Sequence, residues 1–131
     1  MSASDAIYLH TVFTSAVQFH TGLGDADITL TRSSPAHLQP LIVANRRTTF
    51  VLLHAGYPYM REAGYLTAMY ENVYLDIGEV FPVVSRRGQE ALMQQLLELT
   101  PTNKIMWSSE LFFIVSSPRN GNLEGYVRSH R

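Results

Sequence analysis

Four short runs of aliphatic, β-branched and aromatic residues recur along this chain, each separated from the next by text with helical spacing. They are Ala16–Thr21 (AVQFHT), Thr48–Ala55 (TTFVLLHA), Asn72–Gly78 (NVYLDIG) and Lys104–Ser109 (KIMWSS). Their apolar residues are more continuous than alternating. That pattern suits strands covered on both faces, as in a parallel sheet. The first three run into Gly22, Gly56 and Gly78, where the chain can turn sharply.

The intervening text completes the alternation. Ser34-Pro35 reads as a cap and first turn, with the helix proper starting at Pro40 and running to Ala44. Pro58 is expected to open a second helix, whose Tyr59, Ala63, Leu66 and Tyr70 share one face. A third is expected from about Ser85 to Leu99, with Leu92, Leu96 and Leu99 inward, before Thr100-Pro101 stops it. Asp5–Thr14 reads as a further helix before the first strand. The fold class predicted is therefore α/β, with parallel strands joined by right-handed crossovers.

Parallel strands all point the same way, so their C-terminal ends share one rim, where sheets and barrels of this class place their sites. The polar residues fall there: His20, His54, Asp76 with Glu79 just beyond, and Ser108-Ser109-Glu110. With strands about 4.8 Å apart, His20 and His54 could reach one ion or one substrate. Imidazole and carboxylate are groups that a divalent cation such as zinc accepts. A hydrogen-bonded structural role for the two histidines stands beside the ligand role as an equal alternative. Asp76 is better read as a cap on its own turn. Gly22-Leu-Gly24-Asp25 lacks the spacing of a dinucleotide or P-loop fingerprint, so its glycines are assigned to turning the backbone. Tyr57-Pro58-Tyr59 is assigned to packing, and His10, His37 and His130 to the surface.

Composition narrows the partners. Ten basic and eleven acidic residues give a net charge of −1, with the arginines scattered, so nucleic acid is a poor partner. No run approaches the roughly 20 apolar residues of a membrane span. There is no Cys, and no Lys or Arg precedes Arg32 to flank a secretory signal. A cytoplasmic protein without membrane or nucleic-acid partners is expected.

Three stretches of this text are longer than any short motif. Gln18–Ile28, Val51–Leu66 and Asn72–Gly78 resemble the amidohydrolase-2 family of metal-dependent hydrolases. Within it, the likeness is strongest to the amidohydrolase-like half of fungal FluG-type and plant nodulin-type proteins, which are fused to a glutamine-synthetase-like domain. The resemblance implies a (β/α)8 TIM barrel, of which these segments look like strands five to eight. It implies a divalent metal, expected to be zinc, with His20 as fifth-strand ligand. His54 becomes the sixth-strand histidine, a ligand or a catalytic, substrate-polarising group. The implied reaction is hydrolysis of C–N or related bonds in a small-molecule substrate by metal-activated water, with decarboxylation in some branches.

Two departures stand out. Nothing matches the first four strands with their His-x-His pair. The family's eighth strand ends in Trp-Ser-Thr-Asp, whereas here Trp107-Ser-Ser-Glu110 puts a longer carboxylate there as the catalytic candidate. Residues 1–110 are thus expected to form a partial amidohydrolase-like unit and 111–131 an atypical, poorly ordered tail. A full barrel takes about 250 residues, so this half should expose an apolar face and two sheet edges. A homodimer or a larger partner would cover them. The alternatives to a partial hydrolase are a non-catalytic α/β interaction module and a small ligand-binding protein without metal.

Overall fold

The computed structural model describes residues 16–23, 26 and 28–108. The Asp5–Thr14 helix, Gly24, Asp25, Glu110 and the tail lie outside the described residues. Four parallel strands, β1 (Val17–His20), β2 (Phe50–Leu53), β3 (Val73–Asp76) and β4 (Ile105–Met106), form one sheet in chain order. Between them come α1 (Gln39–Ala44), α2 (Met60–Met69), the single turn α3 (Val80–Val83) and α4 (Arg86–Leu97). Sequential order without reversal is what right-handed βαβ units give when they roll in one direction. The architecture is that of part of a TIM barrel.

One layer of side chains carries the packing. Phe50, Leu52, Val73 and Leu75 meet Ile42 of α1, Ala63 and Leu66 of α2, Val80 of α3, and Leu92 and Leu96 of α4. Successive strand residues alternate faces, so Val51, Leu53, Tyr74 and Asp76 lie on the opposite side. There the expected open apolar face is corrected in part. Val51 and Leu53, on the central strand β2, are each only 4% exposed. Exposure is confined to the edge strands: Val17 is 40% and Met106 39% exposed. The expectation that every strand is covered on both faces therefore holds for β2 and fails for β1. Among the described residues β1 and β4 each lack an outer neighbour.

Local chemistry explains most element ends. The Ser34 hydroxyl accepts from Ala36 N at 3.2 Å, but the helix it caps is the tight turn Pro35–Leu38, which then relaxes into α1. The Ser85 hydroxyl accepts from Gly88 N at 3.2 Å, as an N-cap should. Three details depart from expectation. α2 begins at Met60 rather than Pro58, since His54–Gly56 forms its own turn and Tyr59 N donates back to Gly56 O. Leu99 is exposed, because α4 ends at Leu97 and the chain leaves the helical screw before reaching it. α3 was not legible, being a single turn that contains Pro82. No described helix is long and apolar enough to cross a membrane.

The C-terminal end of α2 is held by a cation. Lys104 Nζ donates to Thr67 O at 2.9 Å, a carbonyl of the helix's last turn, and to Tyr70 O at 2.8 Å, which also accepts from Val73 N. Lys104→Met keeps the stem and removes the charge. It is expected to cost about 1–2 kcal/mol in urea unfolding, and an unchanged midpoint would show that water serves those carbonyls equally well.

Candidate functional site at the strand ends

The rim is built by three strand ends. The register pairs His20 with Leu53, which places those two on one face. By alternation His54, one residue further, belongs on the other. It does not go there, because His54 and Ala55 take left-handed backbones with φ of 60° and 57°. This turn swings the His54 ring over the end of β1. Its Nε2 lies 2.8 Å from His20 Nδ1, with ring centroids 4.8 Å apart. His54 is 2% exposed, whereas His20 is open to solvent.

The third participant comes from the loop after β3. Glu79 also has a left-handed backbone, φ 63°, and its Oε2 lies 2.9 Å from His54 Nδ1. Carboxylate, buried imidazole and exposed imidazole thus form a chain from the interior to the rim. Non-glycine residues in that backbone region cost about 1–2 kcal/mol each. Three such residues around one contact, two of them its own members, mark a place where geometry is held against local preference.

Asp76 is nearby and has a different task. Its Oδ1 accepts from Gly78 N at 3.3 Å and Ser108 N at 2.8 Å, and its Oδ2 accepts from Ser108 Oγ at 2.5 Å. It ties the end of β3 to the residues after β4, as its reading as a cap anticipated. On the other side of the rim, Gly22 N donates to Ser33 O at 2.8 Å, and Gly22 packs directly on the Gly56-Tyr57 backbone. Tyr57 packs against the core and the Tyr59 hydroxyl donates to Leu30 O at 2.6 Å, so both tyrosines are structural.

The donor set fits a borderline cation in part. Two imidazole nitrogens face one point, but at 2.8 Å they are hydrogen-bonded. Two nitrogens on one tetrahedral zinc would stand about 3.3 Å apart, so the pair would have to open by roughly half an ångström to share the ion. No group of three or more His, Asp or Glu side chains able to hold a metal occurs among the described residues. Glu79 faces His54 from the side away from His20, and Asp76 is occupied by Ser108.

Sequence reasoning noted Glu79 only as the residue beyond Asp76 and gave it no role. The available signal was its place one step after Gly78, at a strand end that already held a carboxylate.

Comparison with known proteins bears on the family and the fold. The amidohydrolase family profile matches residues 15–122. The fungal protein fluG of Emericella nidulans is 56% identical over 97 residues, which is 74% of this chain and 11% of that protein. A crystal structure from Lactobacillus casei, described as a metal-dependent hydrolase, superposes with a TM-score of 0.65 at 30% identity. That match covers 81% of this chain and 29% of the other. The chain therefore spans a minor part of both.

Proposed function

Because this chain belongs to the amidohydrolase family, we propose that it is a portion of a metal-dependent hydrolase in which His20 and His54 hold a divalent cation, zinc by the chemistry of its donors. The observation that carries this reading is the convergence of two ring nitrogens, His20 Nδ1 and His54 Nε2, on one point at the C-terminal rim. The Lactobacillus structure supports it as a relative described as metal-dependent. When bound, such a cation supplies Lewis-acid polarisation of a water or of a substrate carbonyl.

The residues divide the remaining work. His54, buried and backed by Glu79, is the fixed member, while His20 meets solvent and any small-molecule substrate entering from the rim. Glu110 is the carboxylate proposed for the third position and for proton transfer. The substrate class is a compound with a hydrolysable C–N or related bond. Among the described residues β1 and β4 have no outer neighbour, and a second copy or a larger partner is proposed to cover them and to supply any further ligand. A non-catalytic module is the competing reading, favoured by the count of two imidazoles without a third ligand among the described residues.

Metal content decides between them. The purified chain is expected to retain about one equivalent of zinc, and His20→Ala and His54→Ala are each expected to lose it while keeping the parent's far-UV circular dichroism. Zinc retained in both folded variants, or absent from the parent after dialysis against the ion, would exclude this site as a metal centre.

A further inference from the structure

We infer that Glu79 is the positioning residue of the histidine pair: it accepts the Nδ1 hydrogen of His54 and thereby fixes which nitrogen of that ring faces His20. An ionised carboxylate has only acceptors to offer. Its Oε2 stands 2.9 Å from His54 Nδ1 in an ion-pair contact, a separation at which two bare lone pairs would repel, so that nitrogen is assigned the hydrogen. A neutral imidazole has a single N–H, so His54 Nε2 then presents its lone pair. That lone pair points at His20 Nδ1, 2.8 Å away, which must donate to it. Without an ion both rings are therefore held as Nδ1–H tautomers, and His20 would have to carry its hydrogen on Nε2 before its Nδ1 could ligate.

Two further observations show that this contact is built. His54 is 2% exposed, so water cannot substitute freely for the carboxylate. The backbones of both partners, His54 at φ 60° and Glu79 at φ 63°, sit in the left-handed region at a position where neither is glycine. Gly78 immediately before Glu79 has no room for a Cβ, which would stand 2.3 Å from Ser108 Oγ. The Asp76–Ser108 tie thus sets where the Glu79 loop leaves the sheet. An anchored carboxylate behind a histidine also raises that ring's basicity, and loss of such a partner lowers metal affinity by roughly 10–100-fold.

The test reads the tautomer directly, by long-range 15N–1H correlation spectra of the 131-residue chain without metal, at a pH where both rings are neutral. His54 is expected to show the Nδ1–H pattern in the parent. In Glu79→Ala the Nε2–H pattern should become substantial, and Glu79→Gln, whose amide oxygen still accepts, should restore the parent pattern. An Nε2–H pattern in the parent, an unchanged pattern in Glu79→Ala, or failure of Glu79→Gln to restore it would each overturn the assignment. Should Glu79→Ala fail to fold, the parent and the Glu79→Gln spectra still decide. A separate titration with zinc alone should show at least about tenfold weaker binding in Glu79→Ala. Only this last measurement rests on the metal reading: a parent that takes up no zinc defeats that reading and leaves the tautomer result standing.

Discussion

Gly22→Ala is expected to leave little folded protein. Gly22 has φ +73°, where alanine already costs about 1–2 kcal/mol. Its new Cβ would also stand 2.1 Å from Tyr57 O and 2.6 Å from Gly56 O. Both atoms are backbone, so no side chain can rotate away to make room. Nor can Gly22 retreat, because its N–H is donated to Ser33 O. The combined cost should exceed about 4 kcal/mol, which is rare for one substitution. A small domain has about 5–15 kcal/mol in total, so a loss of this size would remove much of it. Urea unfolding followed by circular dichroism is the measurement. A loss below about 1 kcal/mol would mean that the loops after β1 and β2 do not approach as closely as described. Since His20 ends β1 and His54 opens the turn after β2, the pairing of the rings would then be in doubt as well.

Asp76→Ala should cost about 3–4 kcal/mol and should loosen β4 before the rest of the sheet. The strand is only two residues long, so its ladder is meagre. The buried Asp76 carboxylate supplies what the ladder lacks, accepting two hydrogen bonds from Ser108 and one from Gly78. Alanine removes the acceptor and leaves those N–H groups without it in a place water reaches poorly. Native-state hydrogen exchange gives a local readout, because Ile77 N–H donates to Met106 O just beneath the tie. Its protection should fall in Asp76→Ala more than that of Phe50 N–H, which bonds Asn72 O at the far end of the sheet. Asp76→Asn keeps one acceptor and should fall between parent and alanine. Equal protection at Ile77 in all three proteins would show that the side chain is dispensable and reopen a chemical role for it.

These two residues illustrate what kind of information a linear sequence holds. The strand runs were legible because burial on both faces demands consecutive apolar residues, and Phe50–Leu53 is the clearest case. The Ser85 cap was legible because a hydroxyl beside the first turn answers a need that arises locally. Asp76 as a cap was legible for the same reason. The exposed Leu99 was misjudged because a helical spacing can be extended on paper past the point where the real helix ends. β1 looked like its neighbours in composition, yet exposure depends on which strands flank it, and that is a property of the whole sheet.

The amino-acid order alone determined four parallel strands, the shared rim and the two histidines delivered to it, since alternation of strand and helix forces all strand ends to one side. Contact between the rings was another matter. Register and pleat would send His20 and His54 to opposite faces of the sheet, and only the left-handed turn at His54, enforced by packing around it, brings them to 2.8 Å. Glu79 enters by the same means from a loop whose path is set by the Asp76–Ser108 tie. Such backbone conformations are locally unfavourable, so no local preference announces them, and they exist because the surrounding fold is stable enough to impose them.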